Sequence, residues 1–474
     1  MLRFNHSLLH DKLVQRMVYI LESLDNGQKL VSSKYLAEQL DCSIRTISND
    51  ITQLKAHLPE NWNICSVKAK GYLMIKPTNQ SIGSIVNALM TKSIIYRIML
   101  GIFNNKHFTL EKWSQILYCN KLTIKNNLKI HREMLIKGGL DINFREVQLI
   151  GEEMNIRHYY CAFFYNTKNY TDRTLLSNEL SEKVLSILKK NNILIDFEMV
   201  NCIIFVFIKR FFQKLHVTKK MDFYPTLDRE QVKSFKEVIS TIEGHYKVIL
   251  PDHEKTAMFN YLFLATKPTE IQNELTTAYL RAVKPKDYDN YLNLISIIID
   301  NNTNKVVDDQ KEILKLYMIT IFYKRLIMSQ YNWTMGFLFD PPEKIQSNLL
   351  QNYKKNERLV LLWNKTYNNQ QFLEEEIKYF ATYTTICINS LNDKINILFL
   401  FNGSVIERTI AHSLLTESLG ENIVIHEVPN DSIKYSFVIT NYSTSYKDVP
   451  IMYFSGKITE YNIELFRKQI FKFS

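Results

Sequence analysis

Leu36-Ala37-Glu38-Gln39-Leu40, then Cys42-Ser43-Ile44-Arg45-Thr46-Ile47-Ser48-Asn49-Asp50-Ile51, is the stretch that decides how this chain is read. Ser32-Ser33 can cap a short helix carrying Leu36, Ala37 and Leu40. After Asp41-Cys42, Ser43 can cap a second helix running to about Leu58, before Pro59. Ile44, Ile47, Ile51, Leu54 and Leu58 form one apolar stripe along it, while Arg45, Thr46, Ser48, Asn49, Thr52 and Gln53 lie off the stripe. A helix that buries one side and offers guanidinium, amide and hydroxyl groups on the other suits the major groove, where Arg pairs with guanine and Asn or Gln with adenine. Upstream, Leu13, Met17, Ile20, Leu21 and Leu24 recur at helical spacing until Asp25-Asn26-Gly27. Downstream, Trp62 to Val67 and Tyr72 to Ile75 alternate as strands around Lys68-Ala69-Lys70-Gly71, a basic hairpin tip fit to touch phosphate.

The same order recurs. Ile85 to Phe103 reads as an opening helix, Thr109 to Leu117 as a short one, Tyr118-Cys119-Asn120 as the turn and Lys121 to Ile136 as the long helix. That helix shows Lys121, Thr123, Lys125, Asn126 and Lys129 beside apolar Ile124, Leu128 and Leu135. Leu140 to Phe144 and Val147 to Ile150, around Arg145-Glu146, supply a shorter hairpin. Lysine is a point charge suited to phosphate, so the second long helix is expected to hold the backbone more than to read bases.

Charge agrees with this placement. The chain of 474 residues has a net charge of +11, and its first 150 residues hold 20 Lys+Arg against 11 Asp+Glu, which is nine of those charges. A basic third points to a polyanion partner. With 46% hydrophobic and 23% charged residues, 12 Gly and 10 Pro, the chain reads as helix-rich and folded. Six scattered cysteines without a C-x-x-C pair are expected to be reduced and mostly buried, with no metal site. The most apolar stretch, Cys202 to Ile208, ends at Lys209-Arg210, short of a membrane span; a cytoplasmic protein without membrane contact is expected.

From Tyr170 to about Ser390 the pattern is helical, broken near Pro225, Pro251, Pro268, Pro285 and Pro341-Pro342, and it divides best into two bundles near residue 280. Phe205 to Phe212 reads as bundle core. The last stretch changes: Ile395 to Phe401, Ile423 to Val428, Phe437 to Thr440 and Ile451 to Phe454 as strands, with helices Val405 to Leu419 and Glu460 to Phe471. That is a small parallel α/β domain.

The stretches quoted above, with Leu58-Pro59-Glu60-Asn61-Trp62-Asn63-Ile64, Lys70-Gly71-Tyr72, Ile150-Gly151-Glu152-Glu153 and Ile156-Arg157-His158-Tyr159, resemble the Mga/AtxA-type virulence transcription regulators of Gram-positive bacteria. The resemblance implies a mainly α multidomain chain. Its order would be winged helix-turn-helix modules at 1–80 and 81–160, helical regulation domains at 161–280 and 281–390, and an enzyme IIB-like α/β domain at 391–474. It further implies a homodimeric activator on double-stranded promoter DNA, with RNA polymerase and phosphotransferase-system proteins as further partners. The expected DNA contacts are Ser43, Arg45, Thr46, Asn49, Gln53, Lys68, Lys70, Lys121, Thr123, Lys125, Asn126 and Lys129. Neither a cofactor nor a catalytic residue is expected.

The chain departs from that pattern where such regulators carry phosphoacceptors. Glu198 and Tyr383 stand at the expected histidine positions of the two bundles, and no His lies between His253 and His412. His216, His245 and His253 fall off the matched positions. Where an enzyme IIB has its cysteine this chain has Asn402-Gly403-Ser404, which keeps an anion-binding loop without an ionised thiolate. A phosphocarrier built on the last domain and an RNA-binding antiterminator are the alternative readings.

Overall fold

The computed structural model describes residues 4–470 except 10, 26–29, 69, 78, 168–174, 219–227, 303–307, 334–346, 369–370, 392–394, 420–422, 431–432, 434, 448 and 455–457. The expected helix stop at Asn26-Gly27, the wing-tip Ala69, the breaks at Pro225 and Pro341-Pro342, the helical start at Tyr170 and the helix end at Phe471 lie outside these residues. The chain forms two compact units, Met1–Ile298 with Lys315–Thr384, and Ile299–Leu314 with Thr385–Ser474.

In the first unit, helix Lys12–Asp25 buries Met17, Ile20, Leu21 and Leu24 and is followed by helices Ser33–Gln39 and Ile44–Lys55. Strands Asn63–Val67 and Gly71–Ile75 then pair antiparallel, Asn63 opposite Ile75. The second module repeats this with helices Ile94–Phe103, Leu110–Leu117 and Lys121–Lys137 and strands Asp141–Asn143 and Gln148–Ile150. Its expected single opening helix is instead two, Gly83–Met90 and Ile94–Phe103, bent by 83°. Ser93 causes the break: its backbone is extended and its hydroxyl accepts from Tyr96 N at 3.4 Å, an N-cap that restarts the helix. Among the described residues no single helix is long and apolar enough to cross a membrane, although this bent pair passes by length and composition.

Among the described residues ten helices follow, from Glu153–Thr167 to Glu374–Leu391. The boundary expected at 160 falls inside helix Glu153–Thr167 and the one near 280 inside helix Glu270–Val283. Helix Phe197–Phe212 packs between Glu153–Thr167 and Asp252–Ala265, with Phe103, Phe164 and Phe205 in ring contact at 4.9–5.6 Å. A second aromatic core joins Tyr291, Phe322, Trp363, Phe372 and Phe380.

A buried ion network ties the first set together. Arg157, fully buried, donates to Glu254 through both terminal nitrogens at 2.6 and 3.1 Å, and through Nε to Glu153 at 3.0 Å. Arg210 donates to both oxygens of Glu153, at 2.9 and 2.5 Å. Arg157 also reaches Leu215 O at 2.9 Å, and Val217 N donates to Glu254 at 2.9 Å.

In the second unit the sheet is parallel throughout, in the order Ile423–His426, Ile395–Leu400, Phe437–Thr440, Ile451–Tyr453. Helices Val405–Leu419 and Glu460–Ile470 supply Ala411, Leu415, Leu419 and Phe466 to the core around Ile397, Phe399 and Ile439. The opposite face carries a smaller cluster of Leu398, Tyr435 and Val438, packed by Ile433, Tyr446 and Val449.

Of the cysteines expected to be mostly buried, Cys161, Cys202 and Cys387 are buried, and Cys42, Cys65 and Cys119 are half-buried.

Removing one member of the ion network leaves another charge buried without its partner, so Arg157→Ala should cost about 3–5 kcal/mol. Urea unfolding of the full chain measures it; a midpoint equal to the parent's would show that the network contributes nothing to folding.

Candidate nucleic-acid interface

The first module builds an exposed helix face on a fixed back. Ser32 caps its short helix, accepting from Tyr35 N at 3.1 Å, and Asp41 turns the chain with φ 46°. Ser43 then accepts from Thr46 N at 3.1 Å and bonds the Thr46 hydroxyl at 2.9 Å. Helix Ile44–Lys55 buries Ile47, Ile51 and Leu54, while Arg45, Ser48, Asn49, Thr52 and Gln53 are exposed. Two members of the expected stripe depart from it. Ile44, in the first helical position, is 54% exposed, and Leu58 lies past the helix end, half-buried.

Asp50 is the residue that pattern reading missed. It is buried and takes a bidentate ion pair from Arg16 of the opening helix, at 2.5 and 3.1 Å. Its signal was in the spacing: 47, 50, 51 and 54 are one helical face, so an acid at 50 needs a partner inside. The pair fixes the rotation of the long helix and therefore which residues face out.

The hairpin wing gains a third edge from Val31, which exchanges two 2.9 Å backbone bonds with Tyr72. Gly71 makes this approach possible. Its φ is +125°, and a Cβ there would lie 2.2 Å from Val31 O. Lys68 and Lys70 are exposed beside the hairpin turn.

The second module follows the same plan, with Phe108 O accepting from Val147 N at 2.9 Å as the third wing edge. A Cβ at Gly101 would meet the Trp113 ring at 2.4 Å, so only glycine lets the opening and short helices close there. Tyr118, at φ 52° and 95% exposed, makes the turn, and Asn120 caps the long helix by accepting from Leu122 N at 2.8 Å. Lys121, Thr123, Lys125, Asn126 and Lys129 are all exposed, and Ile124, Leu128 and Leu135 are buried as expected. Lys121, however, is already paired with Glu111, whose carboxyl that hydrogen bond holds below its usual range. Its charge is less available than those of Lys125 and Lys129. Arg132 clamps the helix to the wing through Asp141 at 2.5 and 2.8 Å, pushing that carboxyl down to about 2.

Helix Glu153–Thr167 joins this module to the helical region. Tyr159 bonds the buried His131 of the long helix at 3.0 Å, Tyr160 donates to Met99 O at 3.0 Å, and Asn155 donates to Gly138 O at 3.2 Å.

The remaining sequence-derived positions are dispersed. Glu198 is exposed in the first turn of helix Phe197–Phe212. Tyr383 is half-buried and stacks on Tyr379 with centroids 6.4 Å apart. His216 lies 3.7 Å from Glu254, His245 lies 3.4 Å from Ser177 Oγ, and His253 is exposed. Ser404 donates to Glu407 Oε2 at 2.8 Å, and its backbone N–H reaches the same oxygen at 3.0 Å. The loop expected to offer sites for an anion is thus occupied by its own carboxylate.

Comparison with known proteins agrees with the duplicated plan. The helix-turn-helix domain family matches residues 16–73, and the Mga helix-turn-helix domain family matches residues 78–164. The chain is 28% identical over 175 residues to the capsule synthesis positive regulator AcpB of Bacillus anthracis, covering 37% of this chain and 36% of that protein. With the capsule synthesis positive regulator AcpA of the same organism it shares 26% identity over 146 residues, 31% of this chain and 30% of that one. These two alignments span about a third of each regulator. A third, at 20% identity with the anthrax toxin expression trans-acting positive regulator of Bacillus anthracis, runs over 501 residues and covers 96% of this chain and 98% of that protein. The two N-terminal modules are therefore a helix-turn-helix domain followed by an Mga helix-turn-helix domain, and the chain is a homologue of the Mga-type virulence regulators of Bacillus anthracis.

Proposed function

We propose that this chain is a cytoplasmic, sequence-specific DNA-binding regulator that activates virulence or surface-related genes from double-stranded promoter sites. The observation that carries the reading is the pair of long helices whose backs are fixed by buried polar bonds, Asp50 to Arg16 and His131 to Tyr159, and whose fronts are exposed donors and acceptors. The positive regulators of capsule and toxin expression among its relatives support the direction of control.

The first long helix is the reader. Arg45, Asn49 and Gln53 suit bidentate pairing with base edges, and Ser43 and Thr46, bonded to each other at the helix start, suit the neighbouring phosphate. Lys68, Lys70, Lys125 and Lys129 neutralise the backbone, with Thr123 and Asn126 beside them and Lys121 contributing less because of Glu111.

Two helical regulation domains and an enzyme IIB-like domain complete this reading, supported by the helical region and the four-stranded parallel sheet. Glu198, Tyr383 and Ser404 leave its phosphoacceptor positions without a phosphorylatable His or Cys, and RNA polymerase is the partner an activator engages. The chain works as a homodimer. Helix Val405–Leu419 carries an apolar row one turn apart that nothing in the single chain covers, Ile406 at 73%, Ile410 at 55% and Leu414 at 37% exposure, a surface suited to a second copy. The phosphocarrier alternative is disfavoured by Ser404, whose hydroxyl is committed to Glu407.

Two measurements test these assignments. Arg45→Ala should cost about 1–3 kcal/mol on a preferred site and much less on random duplex, whereas Lys125→Ala should weaken both alike and lower the salt slope by about one unit. Titrations on both duplexes at several salt concentrations decide it, and the opposite pattern would make the second module the reader. For the dimer, Ile406→Glu combined with Ile410→Glu should convert a dimer to a monomer in sedimentation with an unchanged circular dichroism spectrum; a variant that stays dimeric places the interface elsewhere.

A further inference from the structure

Within the first unit, five helices leave a cavity of about 290 Å³ between them. Helix Glu153–Thr167 contributes His158 and Tyr165, helix Phe197–Phe212 and its cap contribute Met199 and Asp196, and the rest comes from helices Asp252–Ala265, Asp308–Gln330 and Glu374–Leu391. The wall is mainly apolar and aromatic. Such a volume matches the lower end of small-molecule pockets, about 300–1,000 Å³.

Three hydrogen-bonded pairs engage most of its polar groups. Asp196 caps its helix by accepting from Met199 N at 3.2 Å and takes the Tyr165 hydroxyl at 2.5 Å. His158 Nδ1 lies 2.6 Å from the Tyr261 hydroxyl. Arg325 is paired with Glu376, its Nη2 at 2.7 Å.

Lys324 stands apart from these pairs. It is buried, and no carboxylate among the described residues lies within ion-pair distance of it. Nζ donates to Thr266 O at 2.5 Å and to Thr266 Oγ1 at 3.1 Å, but its third donor meets only Leu264 O at 3.5 Å, the outer limit of a hydrogen bond. The Phe263 ring lies 4.9 Å from Nζ. Burial without a counter-charge pushes this amine down to about 7. A buried ammonium of this kind is costly alone and strongly favours an anion that can reach it.

We propose that the cavity is an effector site for a small monocarboxylate with an apolar body, its carboxylate on Lys324 Nζ and its body against Met199, Tyr261, Ile321, Met328 and Tyr379. One unpaired cation answers one negative charge, and the apolar wall excludes phosphorylated or dianionic compounds. The occupant touches the same helix that holds the second DNA-binding module: His158 and Tyr165 line the cavity, while Tyr159 bonds His131 behind the long helix. Occupancy therefore bears on how that helix is held. This regulatory consequence rests on the reading of the chain as a DNA-binding regulator; the binding site does not.

Calorimetric titration of the full chain with 3-phenylpropanoate and with its neutral amide, 3-phenylpropanamide, tests the site. The acid should bind at least ten-fold more tightly than the amide, Lys324→Met should remove that preference, and Ala265→Leu, which fills the cavity from its wall, should abolish binding of both. Equal affinity for acid and amide, no heat with either, or unaltered acid binding to Ala265→Leu would overturn the proposal, the last even where Lys324→Met fails to fold. Repeating the promoter titration with saturating acid should shift DNA affinity at least three-fold. Acid binding without that shift overturns the coupling, whereas acid binding by a chain that binds no duplex overturns the regulator reading and leaves the site standing.

Discussion

Arg157 sits with no solvent exposure between two carboxylates, and much of the first unit is arranged so that this can be so. Taking a guanidinium out of water costs several kcal/mol, and the attraction of one carboxylate repays it only when geometry is good and the other donors are also satisfied. Here Glu254 and Glu153 supply the charge, Leu215 O takes a further N–H, and Arg210 balances the second acid. Glu153 lies one turn before Arg157 on the same helix, whereas Glu254 comes from a second helix and Arg210 and Leu215 from a third and the chain leaving it. The network therefore specifies how helices Glu153–Thr167, Phe197–Phe212 and Asp252–Ala265 meet, a selectivity that the interchangeable Phe and Ile contacts around it do not supply.

The same helix then imposes order on its neighbours. Arg157 faces the network, Tyr159 and Tyr160 face the second module, and His158 faces Tyr261 and Trp333, its ring stacked on the indole at 5.6 Å. A side chain on each side of one rigid rod gives a physical route between a helical region and the long helix of the second module. No long loop intervenes whose entropy would dissipate it.

In both modules the exposed face is specified from behind. Asp50 and His131 occupy the buried arcs of the two long helices and each is answered by a polar side chain, Arg16 or Tyr159. An all-apolar back would pack in several rotations at similar cost, whereas a buried polar group accepts only the rotation that satisfies it. The wings are fixed by close backbone approach, with Gly71 admitting Val31 in the first module and Phe108 bonding Val147 in the second.

The sequence by itself determined the local elements: the helix capped at Ser43 and the one that starts after the Tyr118-Cys119-Asn120 turn, the apolar faces of Ile47-Ile51-Leu54 and Ile124-Leu128-Leu135, the hairpins, the parallel strands at the end of the chain and the concentration of charge in its first third. These follow from periodicity, cap chemistry and composition, which act over a few residues and leave a direct mark on the order of letters. Tertiary structure alone decided the pairing of Asp50 with Arg16, the clustering of Arg157, Arg210, Glu153 and Glu254, the engagement of Lys121 by Glu111, and the cavity around Lys324. Whether a charge is buried, and what answers it, depends on segments that are up to about a hundred residues apart in the chain, as Arg157 and Glu254 are. No local pattern encodes that separation, because the energy of an ion pair depends on distance and desolvation in the folded molecule.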